Sequence, residues 1–424
     1  MNKEFFARNR KKFAETMVDD SALFLFSGNP ITMTEDEEYR FVVNHNFFYM
    51  TGIDQRGIVL VITKRAGEVK EMLFINDYSE RYQLWTGRQM TDVLARELSG
   101  IEEVRYLSTY DKFVSTMFGT PFCHTLYLDL SGNEQQRAIS PAFALMKKVR
   151  EEFPHISFKN AYAQICSQRY IKQDEEIEEI GKAIAITRRG LENIMTNLRP
   201  NINECVMDAE FDYSIHKDGA TEKAFETIAA MGKNACTMHY GFNDTMIEDN
   251  KLVLFDLGAK WNHYCSDISR TYPANGKFTD RQREIYSIVL EANKRAIRLA
   301  KPGMTNRQVD NEIIIPYFAE KLKELGLIKE DSEVRKYYPH SVSHPMGIDC
   351  HDVGRNVETN AAMFVEGSVQ TIEPGLYIPE YEIGVRIEDD ILITKDGCIN
   401  LSESIIKEID DIEKFMAEHN HYNK

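Results

Sequence analysis

Paired cysteines are missing from this chain. Its seven cysteines, at 123, 166, 205, 236, 265, 350 and 398, include no CxxC pair. The odd count and irregular spacing argue against a disulfide framework and fit a reducing compartment. A long apolar run near the start is missing too. MNKEFFARNRKKFAETM is charged throughout, and the longest apolar run nearby, residues 22–26, is five residues long. Neither a signal peptide nor a transmembrane helix is predicted. No internal repeat recurs at a period of about 20 to 50 residues. Positive charge is in deficit, with 51 Lys and Arg against 67 Asp and Glu and a net charge of −16. That sign argues against nucleic acid and anionic membrane as partners. What remains is a soluble, acidic, cytoplasmic protein. Its 43% hydrophobic and 28% charged residues are ordinary for a globular chain, and 424 residues suggest two or three domains.

Along the chain, residues 5–17 read as an amphipathic helix. ALFLF, FFYMTG, IVLVIT and EMLFI follow as short apolar runs between polar turns, with helical stretches such as 90–98 among them. This is the pattern of a smaller mixed α/β domain over 1–168, with a boundary near residues 166–173. The second domain, 169–424, opens with a long helix. Asp174 can cap it, Glu175 and Glu176 suit its positive end, and Pro200 lies just beyond. Its apolar face runs Ile177, Ile180, Ile184, Thr187, Leu191, Ile194, Leu198. Another helix is expected at 281–300, with Ile285, Val289, Ala292, Ala296 and Leu299 on one face. Thr305 and Gln308 form a capping box for the next helix, which Pro316 should kink or break.

Strand-type runs carry the chemistry. LVLFDLG is one, and HYCSDISRTY returns after a turn around Lys260 to Asn262. Such a hairpin brings Asp256 and Asp267 close together. VQTIEPGLYI and IGVRIEDDILIT repeat the device for Glu373 and Glu388. Pro374-Gly375 bends the chain after Glu373, since proline restricts φ and glycine accepts a positive one. The expected class is α+β, with helices on one face of a curved antiparallel sheet. With His344 from HSVSHPMG, the metal-ligand candidates are Asp256, Asp267, His344, Glu373 and Glu388. Their four negative charges balance two divalent cations. The oxygen-rich set favours Mn²⁺, with Co²⁺, Zn²⁺ or Fe²⁺ as alternatives. A centre of this kind activates water, which points to a hydrolase.

These segments resemble the pita-bread metallopeptidases, the family that contains methionine aminopeptidase, prolidase and aminopeptidase P. FDLG around Asp256, SDISRT around Asp267, SVSHPMG around His344, TIEPGLY around Glu373 and RIEDD around Glu388 match its five ligand positions in order, with none replaced. The similarity to the aminopeptidase P branch covers nearly the whole chain. It implies a C-terminal pita-bread domain, a homodimer or homotetramer, and peptides with N-terminal Xaa-Pro as substrates. The implied nucleophile is a metal-bridging hydroxide, with Glu373 accepting the water's proton. The resemblance gives His239, in TMHYGF, and His351, in DCHDVG, the roles of substrate contact and proton transfer. His340 lines the same pocket.

Arg386 shares a strand face with Glu388, where it can orient a metal-bound carboxylate or hold a substrate's. Tyr377 follows the bend and can stabilise an oxyanion. Asp36 and Trp85 match first-domain positions that, in aminopeptidase P, reach a neighbouring subunit's active site. There Asp36 would meet the peptide's amino terminus and Trp85 would stack on the proline ring. Cys265 and Cys350 read as small buried filler. Two departures from the family pattern, Ser341 after His340 and the glycine-poor segment 229–235, bear on substrate range rather than on hydrolysis. The rival readings are a prolidase, confined to Xaa-Pro dipeptides, and a non-catalytic peptide-binding protein. Retention of all five ligand positions weighs against the second.

Overall fold

The computed structural model describes residues 1–132, 134–354 and 361–422. The chain separates into two units, Met1–Arg169 and Tyr170–Lys424; the last residue of the second expected domain, 424, lies outside the described residues. The first unit is built on a six-stranded mixed sheet. Its strand order is Glu103–Tyr106, Glu68–Ile75, Val59–Arg65, Ser21–Phe26, Thr125–Leu128, Ser157–Asn160. ALFLF, IVLVIT and EMLFI are strands of this sheet. FFYMTG is not: it lies in the helix His45–Thr51. Periodicity alone cannot separate a short buried strand from a short buried helix. Local signals decide here. The Asn44 side chain accepts from the Phe47 N–H at 2.8 Å, and Gly52, at φ 69°, ends the helix in the left-handed region. Among the described residues, no helix is long and apolar enough to cross a membrane.

The second unit opens with the helix Asp174–Asn197, which buries Ile180, Ile184, Thr187, Leu191 and Ile194. Asp174 is not its cap. The extended Gln173 holds that position, and the Glu176 carboxylate accepts from the Gln173 N–H at 2.9 Å. The next long helix, Asp280–Leu299, is opened by a capping box between Thr279 and Gln282. It buries Ile285, Val289, Ala292 and Ala296, whereas Leu299, expected on the same face, is 48% exposed at the helix end. Pro316 does not break its helix. A π turn, Asp310–Ile314, lies between the short helix Asn306–Val309 and the helix Ile315–Glu324. The wider turn absorbs both the missing N–H and the bulk of the ring.

Three short sheets position the polar cluster. Ile228–Met231, Leu252–Leu257 and Ile268–Pro273 form one, with Leu252–Leu257 in the middle. Beyond it the chain turns at Asn262 and His263, at φ 46° and 71°. That pair of positive φ values suits a tight hairpin turn, two residues beyond the start of the expected one. Val369–Ile372 pairs with Asp389–Ile393, and Gly375–Ile378 pairs with Ile383–Arg386. The register runs unbroken from Ile372↔Asp389 to Gly375↔Arg386, so Glu373 stands opposite Glu388 in the gap between the two ladders. Gly375 is required for space, not for a positive φ. A Cβ there would fall 2.6 Å from the Tyr377 hydroxyl.

Candidate metal centre

Asp256 pairs across its ladder with Ser269, not with Asp267. Asp267 lies two residues before Ser269, so the two acids are diagonal neighbours on one sheet face. His344 enters from a separate segment. Its backbone N–H donates to Thr371 Oγ1 at 3.1 Å, and its Nδ1 lies 3.0 Å from the Pro345 carbonyl. A carbonyl can only accept, so Nδ1 carries the proton and the Nε2 lone pair faces Asp267 Oδ2 at 3.3 Å and Glu373 Oε1 at 3.6 Å. Asp267, His344 and Glu388 each bring a ligand atom within 4.8 Å of the others.

Charge is badly balanced without a cation. Burial, then neighbouring carboxylates, hold the Glu388 carboxyl well above its usual range. Burial is also the main cause of raising Asp267 and Glu373, each to about 7. Two carboxylates directly opposite on paired strands repel each other, and the Glu373–Glu388 pair persists only protonated or with positive charge between them. The donor set, carboxylate oxygens with one imidazole nitrogen, suits hard divalent ions. These residues fit a metal centre.

Arg386 organises the adjoining wall. Its guanidinium donates to Asp256 Oδ2 at 2.6 Å, to Ser269 Oγ at 2.6 Å and to the Tyr377 hydroxyl at 2.9 Å. His340 Nε2 lies 2.7 Å from the same Tyr377 hydroxyl. Burial, and next the Arg386 charge, push His340 down to about 3, so its ring is neutral. Burial pushes Tyr377 up to about 12, leaving a phenol that can donate. A 770 Å³ cavity is lined by Asp256, Asp267, His344, Glu373 and Glu388, and also by His239, His340, His351 and Arg386. The His351 ring packs on that of His344, with centroids 4.2 Å apart. Phe225, Ile228 and Met238 supply an apolar side. Asp36 and Trp85 belong to the first unit, where Asp36 is exposed and Trp85 is 77% exposed, so Trp85 is no core aromatic.

Several contributors lie outside the expected set. Cys350 is not filler: its thiol donates to Asp267 Oδ2 at 2.8 Å, and it lines the cavity. Ser269 Oγ lies 2.9 Å from Asp256 Oδ1 and 2.8 Å from Glu388 Oε2, so one hydroxyl proton serves two ligand candidates. Asp390 Oδ2 accepts the Asp267 N–H at 3.2 Å. The alternation that singled out Arg386 also puts Ser269 on the Asp267 face, Thr371 on the Glu373 face and Asp390 on the Glu388 face. Glu204 left no such signal. It is fully buried and accepts from the Met231 N–H at 2.7 Å and the Tyr240 hydroxyl at 2.8 Å, anchoring the loop that presents His239. Arg270, also buried, donates to the Glu388 carbonyl at 2.5 Å and to Asp389 Oδ1 at 2.8 Å. Burial alone would raise Asp389, yet Arg270 and Lys407 hold it down at about 2. Replacing Ser269 by alanine is expected to weaken metal affinity by roughly 10- to 100-fold, the usual effect of losing a group that orients ligands. Competition with a fluorescent chelator measures it, and an unchanged affinity would make the hydroxyl incidental.

Residues 178–395 match the profile of metallopeptidase family M24, and residues 6–124 match the aminopeptidase P N-terminal domain. The chain is 31% identical to the Xaa-Pro aminopeptidase of Escherichia coli, an alignment covering 98% of each chain. A solved Bacillus anthracis protein, provisionally named an aminopeptidase P, superposes with a TM-score of 0.96 at 44% identity over the whole of both chains. Zn-substituted E. coli aminopeptidase P in complex with product superposes with a TM-score of 0.91 at 30% identity, covering 99% of each.

Proposed function

This chain belongs to metallopeptidase family M24, and from that premise we propose that it removes the N-terminal residue from peptides with proline in second position. It is a metal-dependent aminopeptidase with a pita-bread catalytic domain. The observation that carries the substrate reading is the cavity itself, in which four carboxylates and His344 lie beside the apolar Phe225, Ile228 and Met238. A proline ring suits the apolar side, and the scissile carbonyl then faces the charged one.

Asp256, Asp267, His344, Glu373 and Glu388 would hold two divalent cations, Mn²⁺ by the hardness of the donor set. When bound, those cations lower the pKa of water and polarise the carbonyl. The protein's own groups do the rest. Glu373 takes the proton from the attacking water at its carboxylate. His351 donates toward the developing oxyanion, His239 and His340 hold the substrate, and the Tyr377 hydroxyl, which donates to the neutral His340 at Nε2, fixes that ring rather than the oxyanion. Arg386 keeps Asp256 oriented from Oδ2. The proline nitrogen must gain a proton to leave, and in this reading a shuttle through Glu373 and the histidines of the same cavity supplies it.

The first unit supports a further part of the reading. Its helix Glu80–Thr86 buries none of its residues, and Leu84 and Trp85 are 84% and 77% exposed. We assign these and Asp36 to contacts with a second copy of the chain. None of the seven cysteines is in a disulfide, which fits a cytoplasmic setting. One preparation tests the whole reading. Loaded with Mn²⁺, it should cleave Xaa-Pro-Yaa tripeptides, and light scattering should give more than the 49.0 kDa of one chain. Cleavage of Xaa-Pro dipeptides alone, by a monomer, would overturn both the substrate class and the role of Trp85.

A further inference from the structure

We propose that a second cavity beside the catalytic one is an anion subsite for the C-terminal carboxylate of a short peptide substrate. The proposal deepens the aminopeptidase reading above and rests on it. The cavity measures 570 Å³ and is lined by Asn306, Arg307, Asp310, Arg335, His340 and Ser341 among others. His340 and Ser341 also line the catalytic cavity, so the two spaces share a wall.

Its charge is opposite to that of the whole molecule. In a chain of net charge −16, this space carries two guanidiniums against one carboxylate, Asp310. Asp310 is already committed. It is buried, and its Oδ1 accepts from the Tyr338 hydroxyl at 2.6 Å. Arg335 is fixed in place, donating to the His340 carbonyl at 2.6 Å with Asp310 Oδ2 at 3.7 Å. Arg307 is exposed, and its guanidinium has no partner among the described residues. The arrangement leaves one arginine positioned and one available, which suits a planar carboxylate.

The polarity of the substrate decides which end belongs here. A free peptide is positive at its amino end and negative at its carboxyl end. Guanidiniums repel the first and attract the second, so this cavity accepts only the downstream end of the chain. Each added residue carries that carboxylate about 3.5 Å further. The benefit should therefore peak at one peptide length and fall away on either side.

The test uses matched Xaa-Pro peptides of three to six residues, each as free acid and as C-terminal amide, with the Mn²⁺-loaded enzyme and its Arg307→Gln variant. At the favoured length, wild type is expected to show a KM about threefold to tenfold lower for the acid than for the amide, with kcat alike. Arg307→Gln should erase the difference by raising KM for the acid alone, and Arg307→Lys should restore part of it. An acidic protein otherwise disfavours the extra negative charge, so a preference for the acid cannot come from bulk electrostatics. Equal KM values for acid and amide at every length, or a preference that survives Arg307→Gln, would overturn the subsite while leaving the aminopeptidase reading intact. No cleavage of any peptide would take both down.

Discussion

Glu388→Ala will lower turnover by on the order of 10³-fold or more, and it will also strip metal from the purified protein, because the ligand and its charge disappear together. Elemental analysis and a tripeptide assay on one sample read both effects. The variant should nevertheless fold. In the metal-free state Glu388 is a buried carboxyl opposite Glu373, with Asp267 close by, and its removal relieves the cost of burying that carboxyl and keeping it protonated, at the loss of one hydrogen bond from Ser269. The melting temperature of the metal-free variant at pH 7 should equal or exceed that of the metal-free parent. Full metal content with near-normal turnover would remove Glu388 from the ligand set.

The metal-free protein will lose stability as pH rises, opposite to the usual behaviour of paired carboxylates. Asp267 and Glu373 titrate near 7 in the folded chain and Glu388 well above its usual range, all raised first by burial. Unfolded, such groups titrate at about 4. Between those values these three groups bind more protons folded than unfolded, so their contribution falls with each increment of pH, opposed only below about pH 6.5 by His340, which folding keeps neutral. Their contribution is complete below about pH 4 and lost as pH climbs through 7 and beyond. A tenfold change in a group's proton affinity on folding corresponds to about 1.4 kcal/mol. Because the three groups interact, a combined loss of several kcal/mol is the appropriate scale. Bound cations favour the ionised forms and should abolish the slope, while adding stability that grows with free metal. Calorimetry of chelator-treated and Mn²⁺-loaded protein from pH 5 to 8 tests this. Parallel pH profiles for the two forms would contradict the electrostatic account.

How much of the fold and the site is legible in the sequence depends on the range of the interaction. The acids sit in strand-type words whose spacing alone suggests paired hairpins, and the hairpins are there. Register is less accessible. Asp256 faces Ser269 rather than Asp267, because the turn falls at Asn262 and His263. Ser269, Thr371 and Asp390 obey the same two-residue alternation that exposes Arg386, so the sequence does carry a signal for them. For Glu204, Arg270 and Cys350 it carries none. Each acts through a partner remote in sequence, and nothing local marks a buried charge or a thiol as belonging to a site. Local chemistry misleads in smaller ways. Asp174 looks like a cap, but Gln173 supplies the extended backbone. The FFYM run could be strand or helix until Asn44 and Gly52 are weighed.

The opposition of Glu373 and Glu388 across an unbroken register has a consequence for biosynthesis. Glu373 lacks its opposite carboxylate until the returning strands Ile383–Arg386 and Asp389–Ile393 have left the ribosome. A nascent chain therefore presents Asp256 and Asp267 without the partners that create high affinity. Assembly of the full ligand set therefore follows the pairing of these strands.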